Sequence, residues 1–286
     1  MEKIWNISTL LKWTEQYFRD KGIDSARIDA EMLLSHVLKT ERIYLYAHYD
    51  RPMDQDELKA FRQLVQKRAT RQSVAHILGH KEFMGLDFTV NESVLIPRPD
   101  TEILVETVLA EVSKELPLRI LDIGTGSGAI ILSLLHYLTA ASAVGVDISP
   151  QALHTAQKNA LALALQNRIT FTESDMFTHV GEQSFQVLVS NPPYLTAEDM
   201  ENLEPEVRYD PKLALAGGPD GLYFYGKLIA NGWQYVDNDG LLAFEVGMGQ
   251  ALAVAAMAEK SGHYDVMRIV KDYNDLERVV LLRCRK

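Results

Sequence analysis

Leu121-Asp122-Ile123-Gly124-Thr125-Gly126-Ser127-Gly128 decides the fold. Its first residues complete an apolar run, 118–123, that reads as a buried strand, and residues 129–138 follow as an apolar helix. Between the two, glycine recurs at every second position. Glycine lets the backbone turn sharply and approach a ligand closely, and the N-terminus of the helix adds a partial positive charge. The spacing is Gly-x-Gly-x-Gly and differs from the Gly-x-Gly-x-x-Gly of dinucleotide binders. It suits an adenosyl amino acid better than a pyrophosphate.

The alternation continues downstream. Residues 143–146 read as a strand and 150–164 as a helix, and 169–171, 185–189 and 241–246 read as further strands. Helices of about 10–15 residues between short apolar strands predict an α/β fold with a doubly wound, mostly parallel sheet. Segments 264–269 and 278–282 are expected to add edge strands. Ligands in such sheets lie outside the carboxyl ends of the strands. Asp147 ends the second strand, where a carboxylate can accept two hydrogen bonds from ribose hydroxyls. Asp175-Met176-Phe177 ends the third, where it can edge an adenine ring. Each feature alone has a plainer explanation: a tight connection, a helix cap before Pro150, or core packing. Standing at the ends of consecutive strands, they predict one cofactor site.

Asn191-Pro192-Pro193-Tyr194 follows the strand 187–190. Proline fixes φ and removes a donor, so this turn offers carbonyl acceptors in a stiff geometry. The residue before a proline is pushed to extended conformations, which holds Asn191 out from the sheet edge. Such a turn suits a planar –NH2 group held by both of its hydrogens. The chemistry it points to is methyl transfer onto nitrogen.

The N-terminal part has a different character. Ser8 or Thr9 is expected to cap a helix carrying Leu10, Trp13, Tyr17 and Phe18, with Gly22 as its stop. Ala26, Ala30, Leu33, Leu34 and Val37 follow at helical spacing from an Asp24/Ser25 cap, and 42–48 reads as a third helix. Asp54 with Glu57 resembles a capping box before Leu58, Phe61 and Val65. We therefore expect a helical bundle over 1–75, a β-hairpin and linker over 76–98 turning at Met84-Gly85, and the sheet domain over 99–286. Arg98, Asp100 and Glu102 lie in the loop leading to that domain, with Asp100 as a helix cap or as part of a loop closing on the site.

Composition narrows the partners. The 286 residues carry 29 basic and 39 acidic side chains, a net charge of −10. Residues 1–85 hold 14 Lys/Arg against 12 Asp/Glu, so the remainder holds 15 against 27. A catalytic half at −12 is a poor electrostatic match for a phosphate backbone. Cys284 is the single cysteine, which excludes an intrachain disulfide and a cysteine-based zinc site. A reducing cytoplasm is the simplest expectation. The start, with Glu2 and Lys3, shows no apolar signal run, and no apolar stretch approaches the roughly 20 residues of a membrane helix. His76 and His80 stand at helix-turn spacing, but a surface or hairpin role is expected for them and no metal site.

Taken together, the glycine loop, Asp147 and Asn191-Pro192-Pro193-Tyr194 resemble class I S-adenosylmethionine-dependent methyltransferases. Asn-Pro-Pro-Tyr is shared by enzymes acting on amino groups of adenine, glutamine and some guanines. His80-Lys81-Glu82-Phe83-Met84-Gly85-Leu86, Ile96-Pro97-Arg98-Pro99-Asp100-Thr101-Glu102, Gly217-Gly218-Pro219-Asp220-Gly221-Leu222 and Glu245-Val246-Gly247 narrow this. With the helical start Ser25-Ala26-Arg27-Ile28-Asp29-Ala30-Glu31, they make nearly the whole chain similar to the peptide chain release factor N5-glutamine methyltransferases. Met176 departs from the aromatic residue common at its place, and Val246 from isoleucine.

The resemblance implies a seven-stranded sheet, S-adenosylmethionine as cofactor and the glutamine of the Gly-Gly-Gln motif of release factors as methyl acceptor. It implies that Gly124, Thr125, Gly126, Ser127 and Gly128 line the methionine part of the cofactor, that Asp147 binds ribose and that Met176 borders adenine. Asn191, Pro192, Pro193 and Tyr194 are implied to bind the glutamine amide, with Asn191 also touching the cofactor. Asn191, Pro192 and Tyr194 are the expected catalytic residues. Asn191 Oδ1 and the Pro192 carbonyl would each accept one N–H, aligning the amide nitrogen with the methyl donor. No general base and no metal are called for, because the nitrogen becomes acidic only after transfer. The helical start is expected to dock the protein substrate, and the chain to act as a monomer with no direct nucleic-acid or membrane contact. The rival readings are an adenine-N6 methyltransferase on DNA or RNA, which would need a basic face, a nicotinamide-dependent dehydrogenase, and a binding module with a relic cofactor site.

Overall fold

The computed structural model describes residues 5–286, and the polar start at Glu2 and Lys3 lies outside them. The chain forms two compact units. One runs to Gly79 and includes the short segment Glu204–Tyr209; the other comprises His80–Leu203 and Asp210–Lys286.

In the larger unit, β1 (His80–Phe83) and β2 (Leu86–Thr89) form the antiparallel hairpin around Met84-Gly85. Seven further strands form one sheet: β3 (Arg119–Ile123), β4 (Ser142–Asp147), β5 (Ile169–Glu173), β6 (Phe185–Ser190), β7 (Val236–Glu245), β8 (Tyr264–Lys271) and β9 (Glu277–Cys284). Their order is β5-β4-β3-β6-β7-β9-β8. The first five positions pair in parallel, and β9 pairs antiparallel with both β7 and β8.

The sequence dictates this layering. Successive residues of each central strand bury on opposite faces. Ile120, Val187, Val189, Leu241, Val279 and Leu281 pack on one face. Their neighbours Leu121, Leu188, Leu242, Phe244, Val280 and Leu282 pack on the other. Strands covered on both sides read as continuous apolar runs, as these do. Segment 278–282 is no edge: β9 is internal, and β8 alone forms that margin. Val279 to Leu282 are each 0% exposed, so the strand needs helices on both faces and a partner on each side.

The order also fixes where a ligand can go. From β3 the chain moves outward through β4 and β5, then returns to place β6 on the other side of β3. The carboxyl ends of β3 and β6 therefore flank a topological switch point, the usual ligand crevice of such sheets. Ser190 Oγ donates to the Ile123 carbonyl at 2.7 Å and locks the two strand ends together.

The smaller unit is helical: Ile7–Asp20, Ala26–Leu38, Arg42–Ala47, Gln55–Ala69 and Val74–Leu78. Leu10, Leu11, Phe18, Leu33, Leu34 and Phe61 are at its core. The Asp54/Glu57 capping box forms, with Asp54 Oδ1 accepting from Glu57 N at 2.8 Å. The first helix is capped two or three residues earlier than expected. Asn6 Oδ1 accepts from Thr9 N, and Ser8 and Thr9 are already helical. Asparagine is an equally good N-cap, and an apolar Ile7 between cap and serine hid it. Ser25 occupies the next N-cap, but its hydroxyl donates to Asp29 and caps no backbone N–H. Segment Glu204–Tyr209 is tied into this unit through Glu206, which accepts from Arg68 at 3.0 Å and Arg71 at 2.8 Å.

Candidate active site

A cavity of about 540 Å³ opens at the carboxyl ends of β3, β4, β5 and β6. That volume is ordinary for a small-molecule site. Gly124, Thr125, Gly126, Ser127, Asp147, Met176, Asn191, Pro192 and Pro193 line it. Gly128 and Tyr194 stand behind the wall.

The glycines have two distinct jobs. Gly124 and Gly126 have φ of +75° and +55°, and a Cβ on either would meet nothing within 4 Å. Their backbone is thus bared for a ligand. A Cβ on Gly128 would lie 2.9 Å from Leu132 Cδ1 and 3.3 Å from Ala156 Cβ, so this glycine permits helix packing. Asp147 holds the loop from the next strand: its Oδ2 accepts from Gly126 N and its Oδ1 from Ser149 N, both at 2.9 Å. Each carboxylate oxygen accepts more than one hydrogen bond, so hydroxyl groups in the cavity remain within its capacity. Burial raises its pKa, and the Ser149 and Gly126 amides hold the rise back.

The sequence assigns no role to Asp122, Asn159 or Thr101 of this region, and leaves Glu245 as either a strand-end polar residue or an orienter of its neighbours. Asp122 is fully buried under the loop, where Thr125 Oγ1 donates to its Oδ2 at 2.7 Å. Burial pushes its pKa up to about 7. An aspartate inside the run Ile120-Leu121-Asp122-Ile123 was the available signal. Asn159, also buried, donates to the carbonyls of Thr89 and Ser127, tying the hairpin to the glycine loop. Thr101 lines the cavity, and Asn191 Nδ2 donates to its Oγ1 at 3.2 Å. Glu245, at the end of β7, is buried beside the Tyr194 hydroxyl, 3.5 Å from Oε1.

The loop before the sheet domain is a wall and a tie. Arg98 lines the cavity and pairs with Asp210 at 2.6 Å. Asp100 pairs with Arg278 at 3.0 Å, and Glu102 accepts from Met84 N at 2.7 Å. Asp100 is not the cap: Arg98 holds the N-cap position, with Pro99 at the first helical residue.

Asn191-Pro192-Pro193-Tyr194 is gripped from behind. Gln250 Nε2 donates to the Tyr194 carbonyl at 3.0 Å. Leu195 N donates to Leu215 O and Gly217 N to Leu195 O, at 2.9 and 2.8 Å. A Cβ on Gly217 would lie 2.6 Å from Tyr194 Cα and 2.8 Å from Pro193 O. One on Gly247 would lie 2.9 Å from Tyr194 Cδ2. These contacts explain both glycine-bearing segments: they leave room for the turn. Gly217→Ala is expected to displace the turn and destabilise the protein by about 1–3 kcal/mol, the usual cost of overpacking. Chemical denaturation measures it, and a variant as stable as the parent would show that the turn yields freely.

The cavity fits an adenosyl amino acid. It has bared glycine backbone at a helix start, a carboxylate at the end of the second strand, and apolar walls including Ile123, Ile130 and Ile148. A doubly wound seven-stranded sheet with these elements at its switch point, and Asn-Pro-Pro-Tyr after β6, defines a class I S-adenosylmethionine-dependent methyltransferase. The fold is shared with a methyltransferase from Pyrococcus furiosus, at a TM-score of 0.51 and 18% identity over 71% of this chain and 90% of that one.

Sequence relatives give the particular family. Residues 9–79 match the family model described as PrmC N-terminal domain, and 99–205 match the methyltransferase small domain. The release factor glutamine methyltransferase of Geobacter sulfurreducens is 43% identical over 97% of this chain and 96% of its own length. Those of Caulobacter vibrioides and Rhodopirellula baltica are 39% and 36% identical, over 96% and 98% of this chain and 96% of each relative. The chain belongs to the release factor glutamine methyltransferase family.

Proposed function

We propose that the protein transfers a methyl group from S-adenosylmethionine to N5 of the glutamine in the Gly-Gly-Gln motif of peptide chain release factors. Family membership supports the reaction and the substrate. The observation that carries it at the level of atoms is the orientation of Asn191. Its side chain reaches the cavity, and its Nδ2 is spent on Thr101 Oγ1. A planar amide with its nitrogen so directed points its acceptor oxygen the other way.

S-adenosylmethionine supplies an electrophilic methyl group. The protein's own residues then have a limited task. A carboxamide nitrogen is a weak nucleophile because its lone pair is delocalised into the carbonyl. Asn191 Oδ1 and the Pro192 carbonyl accept the two amide hydrogens, which orients the nitrogen and favours the positive charge it gains. Alignment of this kind lowers a barrier by about 7 kcal/mol or more. Pro192 and Pro193 keep the acceptors stiff. Tyr194, half-buried behind the turn, holds its base and keeps water out. Gly124 to Ser127, Asp147 and Met176 hold the cofactor, with Gly128 setting the helix beneath them. No residue needs to remove a proton before transfer, and no group of acidic, histidine or cysteine side chains suited to a metal occurs among the described residues.

The helical unit docks the release factor on this reading, since the surplus of basic residues lies in that part of the chain. On this reading the protein acts as a monomer. No described helix is long and apolar enough to cross a membrane, and a cytoplasmic location goes with the proposed release-factor substrate.

The decisive test is mass spectrometry of a release factor incubated with enzyme and S-adenosylmethionine. One added methyl on the Gly-Gly-Gln glutamine is expected, with none on duplex DNA or RNA offered in its place. Methylated nucleic acid with an unmodified release factor would overturn the proposal.

A further inference from the structure

Glu245 is an expensive residue to keep. It closes β7 with only 2% of its surface exposed, and its Oε2 has no hydrogen-bond partner. Its Oε1 makes a long contact with the Tyr194 hydroxyl, at 3.5 Å. The nearest cation, Arg278, is committed elsewhere, to Asp272 at 2.8 Å and Asp100 at 3.0 Å. Buried acids are normally paired, and a half-satisfied one lowers stability. The groups that favour its ionised form against burial include the Thr101 hydroxyl and the Asn191 side chain. These are the two partners of the hydrogen bond that orients the acceptor amide.

The chemistry of the three groups explains the arrangement. A carboxylate only accepts hydrogen bonds, and a hydroxyl donates one while accepting others. Asn191 Nδ2 donates to Thr101 Oγ1, which leaves the Thr101 hydrogen available to the carboxylate. Were the Asn191 amide reversed, its oxygen would face the acceptor-only side of Thr101 and a buried negative charge. We propose that Glu245 is a positioning residue that, through Thr101, selects the orientation of Asn191 in which Oδ1 faces the substrate amide. This rests on the proposed glutamine-methylating reading of the same site.

The selection is tied to charge. Desolvation raises the Glu245 pKa to about 7; Thr101, Arg278 and Asn191 oppose the rise, and Asp100 adds to it. Below that pH the carboxyl is neutral, can donate, and tolerates either amide orientation. Above it, only one is tolerated. Tyr194 and Tyr225, the other titratable groups against it, are raised further above their usual range by burial and stay neutral throughout. Asp122, also raised to about 7 by burial, lies under the glycine loop, where it accepts from Thr125 Oγ1.

The experiment compares the full-length parent with Glu245→Gln, Thr101→Val and Thr101→Ser. Glutamine keeps the shape of glutamate but can donate, so the reversed amide becomes acceptable. Turnover of Glu245→Gln and Thr101→Val is expected to fall on the order of 10²-fold, the cost of misplacing one group. The KM for S-adenosylmethionine should stay unchanged, and Thr101→Ser should restore most of the rate. In parallel, 15N-asparagine labelling follows the Asn191 side-chain amide. Relative to a free asparagine amide at the same pH, its hydrogens should be well protected from exchange in the parent above pH 7, less protected below it, and poorly protected at both pH values in Glu245→Gln. Parent-like turnover of Glu245→Gln, or an amide whose protection relative to a free amide ignores both pH and the substitution, would overturn the proposal. If Glu245→Gln does not fold, the threonine pair decides. A parent that methylates no glutamine would instead overturn the functional reading, and the amide exchange would still judge the orientation.

Discussion

Asn191→Ala is expected to lower methyl transfer by about 10²–10³-fold or more, the usual loss when a preorganised partner of the developing charge is removed. Cofactor affinity should change little. The side chain is at the carboxyl end of β6, and its amide nitrogen is engaged by Thr101. Most of the cofactor-facing surface comes instead from the loop after β3 and from Asp147. Removing the acceptor therefore strips one of two restraints from the incoming –NH2 and leaves the cofactor surface almost intact. The Pro192 carbonyl alone cannot stop the amide from rotating about its remaining hydrogen bond. The measurement pairs single-turnover rates, read by mass spectrometry on the release factor, with calorimetric titration of S-adenosylmethionine. A variant that keeps most of its rate would show that the proline turn positions the glutamine without Asn191.

Much of this site could be read from the chain, and the reason is local. Gly124-Thr125-Gly126-Ser127-Gly128, Asp147 and Asn191 each sit at the end of an apolar strand, and a doubly wound sheet gathers strand ends into one crevice. Nothing beyond strand order was needed to bring them together. What stayed hidden depends on contacts distant in sequence. Thr101 is 90 residues from Asn191 and was one polar side chain in a proline-rich loop until the fold placed it beside the turn. Glu245 ends a strand, where the sequence fits an ordinary polar end as well as an orienter of the site, and its burial favours the second. Asn159 is hidden in a helix among ordinary polar neighbours.

The errors in the fold have the same origin. Strand β9 resembles an edge because it comes last with β8, yet antiparallel pairing inserts it between β7 and β8. The helices Tyr223–Gly232 and Ala251–Ser261 went unread because glycine and aromatic residues interrupt the first and small alanines dilute the periodicity of the second. Gly217, Gly221 and Gly247 were visible as motif residues, but their purpose, making space for Tyr194 and its carbonyl, exists only in three dimensions.

Asp147→Ala is expected to have the largest effect on the cofactor itself. Two ribose hydroxyls donating to a carboxylate contribute about 1.5–3 kcal/mol each. Their loss would weaken binding by about 10²–10⁴-fold, at tenfold per 1.4 kcal/mol. A second consequence follows from the present geometry. Asp147 also accepts from Gly126 N and Ser149 N, so its removal frees the middle of the glycine loop and the start of the following helix. Asp147→Asn is the intermediate case: its single amide oxygen can still accept from one of the two backbone N–H groups, while the charge that strengthens the ribose bonds is gone. Affinity for S-adenosylmethionine should therefore fall in the order parent, asparagine, alanine. Acidification should mimic the substitution. Burial raises the Asp147 pKa, so the carboxylate is lost, and binding with it, at a higher pH than an exposed aspartate would require. Titration of parent and variants across pH measures both trends. Undiminished binding to Asp147→Ala would place the ribose elsewhere in the cavity and leave the carboxylate with only its loop-holding role.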